Sequence, residues 1–135
     1  MERNADKTLG LLSIARKAGK LQTGEDAVGA MLAEHRARLV LLAADAGPAT
    51  VRRVLARTEG TRQRVITLAY DKQTLGAALG RPSVAVAAFT DVSLALAFAR
   101  TLPEPDAALM ADLEERVRRV KDRAENGRHT KTRKS

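Results

Sequence analysis

Three short, unbroken apolar runs constrain this chain most: Leu39–Ala44, Val65–Ala69 and Val84–Phe89. A strand with one wet face alternates apolar and polar residues, whereas a continuous run needs cover on both faces. Helical spacing fills the gaps between the runs. Residues 7–18 place Leu11, Ile14, Ala15 and Ala18 on one face, with Leu12 at its flank. Residues 24–34 do the same with Ala27, Val28, Met31 and Leu32, and residues 49–58 with Val51, Val54 and Leu55. Residues 72–79 and 91–101 predict two more helices. Strands alternating with helices argue for an α/β sandwich, its helices on both faces of a small, mostly parallel sheet. A short edge strand is expected near Lys20–Gln22.

Pro103 and Pro105 close this domain, set at residues 1–103. Residues 104–125 read as an appended amphipathic helix with Leu109, Leu113, Val117 and Val120 on one stripe. Glu114 precedes Arg118, and Glu115 precedes Arg119, each at the four-residue spacing that supports a helix. Four large apolar residues make a narrow stripe, so weak docking is expected. Residues 126–135 have no apolar content and carry four basic and no acidic side chains, which predicts a disordered basic tail.

Charge narrows the function. The 135 residues hold 24 Lys and Arg against 16 Asp and Glu, a net charge of +8. The excess lies in residues 1–103 and in the final ten, and it favours a polyanionic partner. With no cysteine, the chain has no disulfide framework, no thiolate metal site and no Cys nucleophile. No phosphate-loop, dinucleotide, serine-hydrolase or zinc-protease motif is present, and the adjacent acids Glu25-Asp26 and Glu114-Glu115 do not converge on a helix. No enzyme activity, metal or cofactor is expected. The polar N-terminus and the lack of a long apolar run predict a cytoplasmic protein without membrane contact.

Two turns carry the candidate site. In the first, Gly19 to Val28, Thr23 is expected to cap a helix, with Asp26 in the capping-box position. Free amides at that helix start suit phosphates, and Arg16, Lys17 and Lys20 lie just upstream. Glu25 and Asp26 would oppose phosphate there and suit base amino or imino groups instead. In the second, Gly76 to Ser83, Gly80 reads as a helix C-cap and Pro82 as a stop, leaving Arg81 at the rim of the sheet. His35 reads as a solvated helix-end residue, and His129 as part of the tail.

The ordered series Leu9-Gly10-Leu11-Leu12, Ala15-Arg16-Lys17-Ala18-Gly19-Lys20, Thr23-Gly24-Glu25-Asp26-Ala27-Val28, Ala37–Ala46, Leu75-Gly76, Leu79-Gly80-Arg81, Val84-Ala85-Val86 and Thr90-Asp91 closely resembles the kink-turn-binding ribosomal-protein family. That is the L-seven-Ae / L-thirty-e superfamily, and the likeness is nearest its bacterial YlxQ-type members, over about residues 7–101. It implies a three-layer α/β/α sandwich with a small mixed, mostly parallel sheet. It also implies non-catalytic binding of kinked RNA. In the family, the helix start after the motif's glycine reads sheared G·A pairs. Here that glycine is Gly24, and the matching contacts fall on Glu25, Asp26 and Ala27, flanked by Gln22 and Thr23. Arg81, Pro82 and Ser83 match the loop that covers unstacked nucleotides. The chain departs from the archaeal-type pattern, which has Asn then Glu at Asp26-Ala27 and a basic residue at Ala30.

The expected function is therefore recognition of kinked or structured RNA by a monomer, with ribosomal RNA or the ribosome as partner. Phosphates would lie on Arg16, Lys17, Lys20 and Arg81, and base edges on Gly24–Ala27. Two other roles fit the same residues: a protein-interaction adaptor docking through its C-terminal helix, and the recognition subunit of an RNA-modifying enzyme.

Overall fold

The computed structural model describes the backbone of residues 2–134 and the side chains of residues 7–126. The elements run α1 (Glu2–Lys17), β1 (Leu21–Thr23), α2 (Glu25–Ala33), β2 (Leu39–Leu42), α3 (Pro48–Thr58), β3 (Val65–Thr67), α4 (Lys72–Ala78), β4 (Val86–Phe89), α5 (Val92–Ala99) and α6 (Ala107–Lys134). The local chemistry accounts for their starts. Pro48 begins α3, where its missing N–H costs nothing. Asp71 caps α4 by accepting the Thr74 amide at 2.7 Å, and Asp91 caps α5 through the Leu94 amide at 2.8 Å. Among the described residues, no helix is long and apolar enough to cross a membrane.

The sheet has the strand order β1-β4-β2-β3. It is mixed, but not mostly parallel: β4 is antiparallel to both neighbours, and only β2 and β3 run parallel. An unbroken apolar run carries no information about strand direction, so that expectation failed, and β3 at the sheet edge is only partly buried where cover on both faces was expected. In β2, Leu39 and Leu41 face one way and Val40 and Leu42 the other, with all four buried. One face packs on α1, α4, α5 and α6, and the other on α2 and α3. These are the three expected layers. The chain has two phenylalanines, Phe89 and Phe98, and they meet in the larger core with ring centroids 5.4 Å apart.

Two helices pack differently from their sequence reading. In α1 the buried stripe is Thr8, Leu12 and Ala15, while Ile14 is 58% exposed. The Thr8 hydroxyl donates to Thr101 Oγ1 at 2.8 Å, so a polar residue occupies a buried position. In α6, Leu109 and Leu113 enter the larger core, Met110 and Val117 cover its margin, and Val120 is exposed. The expected pair Glu115–Arg119 forms at 3.4 Å, but Glu114 turns to Arg100 at 3.8 Å rather than to Arg118. The backbone of α6 stays helical through residues 126–134, where a disordered tail was expected. Extending a formed helix needs no new nucleation. The side chains from residue 127 onward lie outside the described residues.

The side chain of Leu113 is wholly buried. Leu113→Ala should lower unfolding free energy by about 2–5 kcal/mol in urea titrations. A stability unchanged from wild type would show that α6 docks without sharing the core.

Candidate nucleic-acid interface

The first turn is built from backbone. Helix α1 ends as Gly19 N–H bonds Arg16 O at 3.0 Å and Lys20 N–H bonds Ala15 O at 2.8 Å, with Gly19 at φ 74. These two bonds are the Schellman pattern, which asks for glycine at its left-handed position. The chain then enters β1, where Thr90 N–H bonds Lys20 O at 2.9 Å and Gly24 N–H bonds Val86 O at 2.9 Å. Thr23 belongs to this strand, opposite Ala87, so it does not cap α2 as expected. Gly24 is the N-cap instead, at φ 95 and ψ 155, and no side chain caps the helix. That conformation is open essentially to glycine alone. A single residue thus turns strand into helix, and the first amides of α2, from Glu25 to Ala27, point out of the helix end without intrahelical partners.

The second turn lies beside the first. Arg81 N–H bonds Gly76 O at 2.8 Å, closing α4, and Val84 N–H bonds Lys72 O at 3.0 Å. The loop therefore folds back along the helix. A β-carbon on Gly76 would stand 2.6 Å from Arg81 O and 2.8 Å from the Ser83 backbone, so Gly76 permits the close approach. One guanidinium nitrogen of Arg16 lies 3.8 Å from the β-carbon position of Gly80, which joins the end of α1 to this loop. Arg81, Pro82 and Ser83 are exposed, and the strand that follows them pairs with β1. Arg16, Lys17, Lys20 and Gln22 are likewise exposed, and Thr23 and Ala27 half-buried.

The acids of this region do different things. Glu25 leaves the cluster and bonds α3: both carboxylate oxygens accept from the Arg53 guanidinium at 2.9 Å, and the Thr50 hydroxyl donates to one of them. The Thr50 bond and then Arg53 hold its carboxyl below the ordinary range. Arg57 donates to Gly29 O at 3.2 Å, adding a second tie between α3 and α2. Thr50 and Arg53 were missed in the sequence; the four-residue spacing of Arg53 and Arg57 on α3 was the available signal. Asp26, next to Glu25, is exposed and has no ion pair among the described residues. Arg16, Lys17, Lys20 and Arg81 also lack ion pairs among the described residues, whose salt bridges lie on α3, on α6 and its contacts, and at 34–36.

Alanine ordinarily favours a helix over glycine by about 1 kcal/mol. Gly76→Ala should reverse that sign and destabilise the fold by about 1–3 kcal/mol, because the backbone of 81–83 must move. Urea unfolding together with amide chemical shifts of Arg81 and Ser83 would measure both effects. A stabilised variant with unmoved shifts would disprove the packing role.

The model of the Ribosomal protein L7Ae/L30e/S12e/Gadd45 family matches residues 6–96. Among solved structures, a protein of unknown function from Bacillus halodurans superposes with a TM-score of 0.66 at 30% identity, covering 73% of this chain and 98% of that one. The Giardia lamblia 15.5kD RNA binding protein superposes with a TM-score of 0.56 at 20% identity, covering 90% and 91%. At that identity the second likeness concerns the fold. No curated protein matches the chain significantly. The matched segment contains both turns and the whole sheet and stops before α6. With two-thirds of its length under one family model and its layers those of the fold, the chain belongs to the L7Ae/L30e/S12e/Gadd45 ribosomal-protein family.

Proposed function

We propose that this protein is a non-catalytic RNA-binding protein that recognises kinked or structured RNA, such as ribosomal RNA, along the β1 edge of its sheet. One observation carries the reading. The exposed cations Arg16, Lys17, Lys20 and Arg81, from the two adjoining turns, share the β1 edge with an uncapped helix start and have no carboxylate partner among the described residues. Family membership supports it, as does the likeness in fold to the Giardia lamblia RNA binding protein.

Kinked RNA brings phosphates together, and a cationic edge lowers the repulsion between them. Arg16, Lys17, Lys20 and Arg81 take the phosphates, while Gly24 lets the RNA meet the α2 amides closely. Asp26 would repel a phosphate, so it accepts from base amino or imino groups, which gives the site its discrimination. Gln22, Thr23 and Ala27 border that contact, and Arg81, Pro82 and Ser83 cover unstacked nucleotides. Glu25 acts by holding the helix start through Arg53 and Thr50.

If these four cations each neutralise a phosphate, log affinity should fall with log salt at a slope no shallower than about −3. Replacing any one of them with Ala should flatten the slope by nearly one. Filter binding of a kink-turn RNA across a salt series would show it, and binding that ignores salt would refute the phosphate contacts.

A further inference from the structure

We infer that the groove between α6 and the starts of β2 and β3 is a second RNA-phosphate surface, one that reads the backbone without regard to sequence; this rests on the RNA-binding reading above. The groove has a volume of about 360 Å³ and is lined by His35, Arg38, Arg62, Arg116, Arg119 and Arg123, with no carboxylate in its walls. It opens at the end of the sheet where β2 and β3 begin, with Arg38 and Gln63 in its wall.

The fold gathers these cations deliberately. Buried Gln63 donates through Nε2 to Leu32 O at 3.2 Å and accepts the Ala37 amide on Oε1 at 3.1 Å, fastening the loop before β2 to the loop before β3. Arg116 has only 16% of its side chain exposed; it pairs with Asp112 at 3.1 Å and donates to the Arg62 carbonyl, so it pins α6 to the same loop. Arg119 is partly neutralised by Glu115, which it shares with Arg118. Arg38, Arg62 and Arg123 are exposed and have no ion pair among the described residues. Like charges assembled from three separate segments repel, and an anionic ligand relieves that repulsion.

His35 supplies an independent observation. It ends α2 in a left-handed conformation, φ 56, while its amide bonds Leu32 O at 3.1 Å and the Arg36 amide bonds Met31 O at 3.0 Å. Glycine is the usual residue at this point of the motif, and a β-carbon is strained there. The chain keeps an imidazole at the groove despite that strain.

Several features favour an extended strand over a small anion. From Arg116 to Arg123 the helix advances about 10 Å, farther than one phosphate reaches. Guanidinium forks suit phosphate oxygens, and half-exposed Val120 offers an apolar contact for ribose. The family model's match ends at residue 96, ahead of α6, whose arginines form one wall of the groove.

The test uses the full chain with two probes, a kink-turn RNA and a plain RNA duplex. The triple variant Arg38→Gln, Arg62→Gln, Arg123→Gln should flatten the salt slope by about two to three for both RNAs and leave the preference between them unchanged. Val120→benzoylphenylalanine should crosslink to bound RNA on irradiation, and the triple variant should abolish the crosslink. A wild-type slope in the triple variant, or bound RNA with no crosslink from position 120, overturns the inference. So does a crosslink to a protein in cell extract but not to RNA. If the groove variants behave as wild type while Arg16→Ala and Arg81→Ala weaken binding, the groove alone fails. If the reverse holds, the β1-edge reading fails and the groove stands.

Discussion

Strand β4 holds the molecule's surfaces in place. It is bonded on both sides, to β1 and to β2, in antiparallel register. At its start, Val86 O fixes Gly24 N–H, and with it the start of α2. Just beyond its end, Thr90 N–H fixes Lys20 O, and at its last residue Phe89 O accepts the Arg38 amide at 2.7 Å. Lys20 of the β1 edge and Arg38 of the arginine groove are thus positioned by one central strand. Phe89 and Ala88 on opposite faces of that strand are fully buried, so it cannot shift without opening both cores.

Much of this was legible in the sequence. The three apolar runs located β2, β3 and β4, and the glycines and prolines located the turns. Strand direction was not legible, because burial on two faces demands the same apolar residues whichever way a strand runs. The buried face of α1 was set wrongly because Thr8 holds a core position by bonding Thr101, a partner 93 residues away in sequence. Thr23 looked like a helix cap because threonine so often is one, yet the ladder with β4 claims it as strand. Glu25 looked available to RNA because its partners, Thr50 and Arg53, sit on another helix. These misses share a cause: a long-range bond overrode a local preference.

The carboxylates pair with some cations and leave others open. Some arginines are taken up in pairs that fasten a helix to its neighbour, such as Arg53 of α3 with Glu25 of α2, and Arg64 before β3 with Asp112 of α6 at 3.2 Å. Exposed pairs of this kind contribute little stability individually, so their main effect is to fix geometry. Arg16, Lys17, Lys20 and Arg81 at the β1 edge, and Arg38, Arg62 and Arg123 in the arginine groove, are among those with no ion pair among the described residues. In the proposed function this matters for strength. The chain has Ala27 and Ala30 where the resembled pattern carries Glu and a basic residue, so the proposed base-reading contacts at α2 would be fewer. Backbone contacts from two cationic surfaces would raise affinity, but only the α2 start could give specificity.

The central claim, that the helix start at Gly24–Ala27 reads a kink and not merely negative charge, is tested most directly by competition binding. A kink-turn RNA would compete against the same RNA with its G·A pairs disrupted, at fixed salt. The account predicts that wild type prefers the intact kink-turn and that Asp26→Ala, with its fold verified, loses about 1–3 kcal/mol of that preference. Equal affinity of wild type for the two RNAs would contradict it.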